Sequence, residues 1–183
     1  RTLTNRLGDT TSYTYDPASN QVATITDSKE NTLAFTYMPQ DQDFSHPLGG
    51  GKVNMTAYNL AELRHQDGAR ETMTFDSKGN MTARTDQAGK AWRYEVNDRG
   101  QLTRIINPVG GVEDYSHNPD GTLASSTDSD TGVTTYEYDA YKRLIRTIHP
   151  DGSFVETTYD LADRVISITD ERGGTTTYEL SLI

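Results

Sequence analysis

Residues 136–144 read Tyr136-Glu137-Tyr138-Asp139-Ala140-Tyr141-Lys142-Arg143-Leu144, and residues 157–165 read Thr157-Thr158-Tyr159-Asp160-Leu161-Ala162-Asp163-Arg164-Val165. Side chains two apart point to the same face of a strand. Tyr136 and Tyr138 therefore face one way, and Glu137 and Asp139 the other. The Asp after the second large residue is turn chemistry, because its side chain bonds nearby backbone. Leu144-Ile145-Arg146-Thr147-Ile148 and Val165-Ile166-Ser167-Ile168-Thr169 then open a second strand. A second turn follows at Asp151-Gly152 or Arg172-Gly173-Gly174. Each unit reads as two antiparallel strands joined by tight turns.

The same unit extends in both directions. Taking the large residue before the Asp as the anchor, Phe75, Val96, His117, Tyr138, Tyr159 and Leu180 follow one another at a spacing of 21 residues. Earlier anchors are Tyr15, Tyr37 and Tyr58, with a short step of 17 residues from Tyr58 to Phe75. Two residues before the anchors stand Tyr13, Phe35, Met73, Tyr94, Tyr115, Tyr136, Thr157 and Tyr178. Asp76, Asp139 and Asp160 directly follow their anchors. Gly79, Gly100 and Gly121 stand four residues after it, replaced later by Lys142 and Asp163; Gly89, Gly110, Gly152 and Gly173 serve the second turn. Self-similarity at a fixed period marks a repeat architecture. No sustained i, i+3, i+4 apolar pattern competes with it; Leu60-Ala61-Glu62-Leu63 is the one short helix-friendly stretch. The expected fold is all-β: tandem units of about 21 residues forming an antiparallel β-hairpin meander, in a single repeat region over 1–183. Residues 38–51, with two Pro and three consecutive Gly, break the alternation and are expected to form an irregular surface loop.

Composition narrows the function classes. The chain has 183 residues, 33% of them hydrophobic, no Cys and a formal charge of −10. Its mean hydropathy is −0.75 and its pI about 4.7. Without Cys there is neither a disulfide framework nor a thiolate zinc site. The acidity opposes binding to a phosphate backbone, which calls for a basic patch. No apolar run reaches the roughly 18 residues of a membrane span, and no signal-peptide pattern opens the chain. Arg1 rather than Met begins it, as expected for a piece of a longer protein.

The tandem pattern of aromatic-x-Tyr-Asp-x-x-Gly-x-Leu, followed eight residues later by Gly, resembles the RHS/YD-repeat family. That family includes bacterial Rhs polymorphic toxins, the C subunits of insecticidal toxin complexes, and teneurins. The resemblance runs from about Tyr13 to Tyr178, apart from the stretch after Tyr37. It implies a strand ribbon that spirals into a hollow shell, of which this chain is a curved, open segment. In the bacterial members the shell encloses a C-terminal toxin domain. The implied partners are neighbouring repeats of the parent chain and that enclosed domain, with self-association through open strand edges. The implied location is secreted or cell-surface, by a dedicated export system. A complete shell needs many more repeats, and the aspartyl autocleavage motif of the bacterial plug has no match: Asp16-Pro17 shares two residues with it but lies in a repeat turn. The expectation is a wall segment without cargo or protease.

Chemistry has few candidates. His46, His65, His117 and His149 lack metal-ligand spacing. His117 holds an anchor position, where packing is the ordinary role. His149 precedes a turn. His46, near Asp41 and Asp43, is the one His in the irregular stretch. Asp128-Ser129-Asp130-Thr131-Gly132 resembles the start of a calcium loop but lacks the later ligands, and a turn is needed there in any case. No phosphate loop, nucleophile elbow or dinucleotide fingerprint is present. The expectation is a non-enzymatic structural segment with no cofactor, no metal and no catalytic residue. Its characteristic residues are the repeat anchors, among them Tyr13, Tyr15, Tyr37, Phe75, Tyr94, Tyr115, Tyr136, Tyr138, Tyr159 and Tyr178. The alternative is an extracellular adhesion or carbohydrate-binding module built from the same repeats, using the tyrosines as a platform.

Overall fold

In the computed structural model, residues 1–45 and 52–178 are described. Strands form where Thr, Val, Ile and Tyr cluster, since β-branched and aromatic side chains suit a pleated surface. The chain divides into two compact units, Arg1–Tyr94 and Glu95–Ile183. The first holds β1 (Thr2–Thr4), β2 (Thr10–Tyr15), β3 (Val22–Thr26), β4 (Thr32–Ser45), β5 (Lys52–Arg64), β6 (Arg70–Phe75), β7 (Met81–Thr85) and the start of β8 (Ala91–Val96). The second holds β9 (Leu102–Ile106), β10 (Val112–His117), β11 (Leu123–Asp128), β12 (Gly132–Tyr138), β13 (Leu144–Ile148), β14 (Phe154–Tyr159), β15 (Val165–Thr169) and β16 (Thr175–Thr177). Strand order follows chain order within each unit. Within each unit every described pairing is antiparallel. The all-β meander is therefore as the sequence predicts. The described residues contain no helix, so none is long and apolar enough to cross a membrane.

Two features recur. The first is a five-residue turn. Asp76 N–H donates to Asn80 O (2.9 Å) and Gly79 N–H to Asp76 O (3.1 Å). Asp76 Oδ1 also accepts the N–H groups of Lys78 (2.8 Å) and Asn80 (2.9 Å). Asn5, Asp27, Asp86, Asn97, Asn107, Asp139, Asp160 and Asp170 accept the same two N–H groups. The fourth residue takes positive φ, as at Gly79 (88°) and Gly100 (77°). Glu30, Lys142 and Asp163 hold it without being glycine, at 66°, 65° and 62°.

The second feature is a register shift at the anchor. In β6–β7, Thr74 pairs with Ala83 but Phe75 with Met81, so β7 carries one extra residue, Thr82. Tyr15, His117, Tyr138 and Tyr159 end their strands at the same shift, and Tyr37 meets it within β4. Such bulges bend a strand and increase its twist.

Two expectations over 37–75 are corrected. Met38–Ser45 is not an irregular loop but the continuation of β4, paired with β5 from Met38↔Asn59 to Ser45↔Lys52. Pro39 is tolerated because the register of β4 with β3 ends at Ala34, which leaves no third strand to require its missing N–H. Residues 46–51, including His46, lie outside the described residues, as does the anchor Leu180. Tyr58 is not an anchor. It pairs with Pro39 in mid-strand, and the shift falls at Tyr37↔Leu60. One unit therefore runs from Tyr37 to Phe75 with an extended hairpin inserted in its first turn. The spacing of 21 residues between Tyr37 and Tyr58 is a coincidence.

Positive φ at Glu30 costs roughly 1–2 kcal/mol relative to a residue without Cβ, partly offset by the greater unfolded-chain entropy of glycine. Glu30→Gly is expected to raise the stability of the chain by up to about 1 kcal/mol in urea unfolding. Gly89→Ala is expected to lower it by a similar amount, about 1 kcal/mol. Nothing lies within 4 Å of the added Cβ there, so the cost would be conformational. Unchanged midpoints in both variants would remove this account of the turns.

Candidate functional surface: an aromatic face and a hydroxyl face

Register and alternation divide the side chains of each unit into two faces. In the first unit Tyr13, Tyr15, Val22, Ile25, Phe35, Tyr37, Leu60, Leu63, Met73 and Phe75 share one face. In the second, Tyr115, His117, Leu123, Tyr136, Tyr138, Leu144, Tyr159, Val165 and Ile168 do so. The other face is polar. Its cross-strand hydroxyls pair directly at Thr14–Thr24 (2.7 Å), Thr26–Thr32 (2.9 Å), Thr74–Thr82 (2.9 Å), Ser116–Ser125 (2.7 Å), Thr158–Ser167 (2.6 Å) and Thr169–Thr175 (3.0 Å). Such pairs each contribute roughly 0.2–1 kcal/mol. Sequence reading passed over this ladder, although its signal is present as Thr14, Thr36, Thr74, Ser116 and Thr158, each one residue before an anchor.

No described residue is buried. Each unit is a single layer whose large side chains are covered only by their neighbours along the face. The anchor tyrosines add a polar tie. Tyr37 Oη donates to Val22 O (2.8 Å) and Tyr159 Oη to Leu144 O (2.9 Å). Both acceptors are the residue facing the preceding anchor across the register shift, where the ladder is disrupted. This is a reason for tyrosine rather than phenylalanine at those anchors.

The remaining expected repeat residues fall into place around these features. Asp76, Asp139 and Asp160 close first turns, and Gly79, Gly100 and Gly121 hold positive φ there. Gly152 and Gly173 hold it in second turns. Tyr94 lies in β8, and Tyr178 follows β16, its N–H donating to Ile166 O (2.9 Å). Asp128 closes a variant turn by accepting the N–H groups of Asp130 (2.8 Å) and Thr131 (3.0 Å). His65 and His149 take the first turn position in place of Asp. They reach the next second turn, at Gln87 (2.6 Å) and Glu171 (3.0 Å).

Neighbouring first turns are also tied together by long side chains that the repeat pattern did not single out. Arg99 Nη1 donates to Pro119 O (2.8 Å), Gln101 Nε2 to Gly121 O (3.0 Å) and Lys142 Nζ to Asp120 O (2.7 Å). Arg143 is the most connected. It donates to Asp139 Oδ2 (2.7 Å), Asp160 O (2.8 Å) and Asp163 Oδ1 (2.9 Å). Its guanidinium lies 5.2 Å from the Tyr141 ring and 4.8 Å from the Tyr159 ring.

Hydrogen bonds received from the turns hold several carboxylates below their ordinary range: Asp76 and Asp27 through the Asn80 and Asn31 side chains, Asp16 through Ser19, and Asp160 through the Arg164 backbone. Glu113 accepts the Tyr115 hydroxyl (2.6 Å), which with partial burial pushes that phenol up to about 12.

The lowered carboxylates set a direction for acid. Their folded values lie below the unfolded ones, so their stabilisation is complete above the ordinary carboxylate range and is lost as pH falls through the folded values. The thermal midpoint is expected to hold between pH 7 and about 5, then fall steadily toward pH 2–3. A midpoint independent of pH over that range would contradict the turn assignments. Tyr159→Phe is expected to cost about 0.5–1.5 kcal/mol in urea unfolding by leaving Leu144 O without its donor. A neutral effect would make the hydroxyl incidental.

Comparison with known proteins agrees with this unit. Residues 117–153 match the RHS Repeat family model, beginning at an anchor and ending with a second turn. No curated protein matches the chain by sequence. Among solved structures, a Photorhabdus luminescens Tc holotoxin pore carrying a TccC3 variant superposes with a TM-score of 0.64 at 16% identity, over 92% of this chain and 9% of that one. A crystal structure of TcdB2–TccC3–Cdc42 gives 0.60 at 15% identity, over 92% and 9%, and one of TcdB2–TccC3 gives 0.55 at 11%, over 87% and 10%. The chain thus spans about a tenth of the length of these proteins, and the likeness is one of fold. Residues 117–153 thus match an RHS repeat, and their unit of a bulged anchor, a five-residue turn and a paired second strand recurs among the described residues on either side.

Proposed function

We propose that the chain is a non-enzymatic wall segment of an RHS-repeat shell, in which neighbouring repeats of the parent protein continue the sheet and enclose a C-terminal toxin domain. The observation that carries the reading is the single layer. With no buried residue among those described, the sheet works as a surface with two chemically distinct sides rather than as a domain around a core. A wall requires this: one side meets solvent and the other meets contents. The fold shared with the Tc proteins supports it. The parent would be exported, to the medium or the cell surface, and the wall would keep proteases from the enclosed domain until delivery.

Limited proteolysis of the intact parent protein, with mass spectrometry following its C-terminal region, tests the proposal. Protection of that region, lost when residues 75–159 are removed, is expected. Equal digestion with and without the segment would sink encapsulation.

A further inference from the structure

The aromatic face of the second unit has a hollow between Tyr115 and Tyr136. Ile25, Leu63 and Ile168 fill the place beside the residue two before the anchor, facing Tyr13, Phe35 and Thr157. Opposite Tyr115 that place is Ser126, and Ser126 in turn pairs with Thr134. Two small polar residues therefore form the floor of an open hollow of about 240 Å³ lined by the Tyr115 and Tyr136 side chains. Tyr136 Oη lies 3.1 Å from Ser126 Oγ.

Glu113 and Asp128 also line this hollow. They are direct cross-strand partners, an arrangement in which like charges repel. Among the described residues neither forms an ion pair. Arg104, on the adjacent strand, is paired with Asp114 on the opposite face (2.6 Å).

The same unit shows what fits such a set of groups. Arg143 lies over two tyrosine rings, Tyr141 and Tyr159, and bonds two carboxylates, Asp139 and Asp163. The hollow offers two tyrosines and two carboxylates with no cation of its own. A guanidinium is flat enough to stack on an aromatic ring, and its fork of donors suits carboxylates better than an ammonium does. We propose that the hollow between Tyr115 and Tyr136 receives the arginine side chain of a polypeptide lying across β10–β12. The site is independent of whether that polypeptide is enclosed: a protected C-terminal region without arginine binding would sink this inference alone, and the reverse result would sink encapsulation alone.

The test is amide chemical-shift titration of the 183-residue chain with acetyl-arginine amide, with acetyl-citrulline amide as the neutral isostere and methyl glucoside as a sugar probe. Saturable shifts confined to Tyr115, Ser126, Tyr136 and their neighbours are expected for arginine only. Glu113→Gln combined with Asp128→Asn should weaken them roughly tenfold, and raising the salt should weaken them in the unsubstituted chain. An asparagine oxygen can fill such a role: Asn107 accepts the N–H groups two and four residues on in the preceding second turn, where Asp128 accepts those two and three residues on. Ser126→Ile places there the residue that Ile168 already supplies, and should abolish the response while leaving the other amides in place. An equal response to citrulline, a response to methyl glucoside instead, shifts spread over every turn carboxylate, or full binding by Ser126→Ile would each overturn the assignment.

Discussion

Everything in this chain depends on how register is held without a core. In a sheet that buries one face, a slip of one residue moves the whole apolar set into water, and burial fixes the pairing. Here no described residue is buried, and the penalty for a slip is correspondingly small. The turns supply the missing constraint. A carboxylate or amide oxygen that accepts two N–H groups of its own turn, as Asp76 does from Lys78 and Asn80, fixes which residues enter and leave each strand. Where His65 takes the first position, Asp67 accepts the Ala69 N–H instead; where His149 does, Asp151 accepts that of Ser153. The acceptor is supplied from another position, so the turn is the conserved physical object within the chain, more than any single residue.

The register shift gives each unit its polarity. First and second turns mostly share one geometry, as at Asp76 and Asp86, yet among the described pairings the extra residue stands next to the anchor, in the strand that follows it. An unpaired backbone group at that point calls for a donor, and the tyrosine of the next unit provides one, as Tyr159 does for Leu144. The aromatic repeat is thus a consequence of the bulge as well as of packing. Each unit completes the hydrogen bonding of the one before it, which is how a solenoid-like chain couples nearest neighbours without a shared interior.

Much of this was legible in the sequence because its two periods coincide. The 21-residue spacing and the period of two within strands both point to the same face, so the side taken by Tyr136, Tyr138 and Tyr159 is readable in the chain itself. Turn glycines were legible for the same reason, since positive φ favours one residue type. What escaped were features carried by residues without a fixed type. Arg143 makes more inter-turn bonds than any anchor, but arginine at that place is matched only by Arg164, while Asn80 and Gln101 stand there in other units. The hollow at Ser126 is an absence of bulk, which a pattern of large residues does not register. The inserted hairpin escaped because Pro39 and the glycines beyond it suggest a loop, while a ladder of two strands that no third described strand joins tolerates what an inner strand does not.

That hairpin also shows why an insertion at a first turn is harmless to the sheet. The pairs flanking it, Phe35↔Leu63 and Tyr37↔Leu60, have the register of Met73↔Arg84 and Phe75↔Met81 in the next unit. An antiparallel ladder can lengthen by whole pairs beyond its neighbours without altering either of them, so the unit accepts the extension at its turn and at no point within its strands. Alternation continues through the join, but the apolar residues change sides. Met38 and Met55, 44% and 58% exposed, lie on the hydroxyl side of the sheet, opposite Tyr37 and Leu60. The aromatic ladder and the methionines of the extension therefore face opposite ways, and whatever meets one of them cannot, from the same side, meet the other.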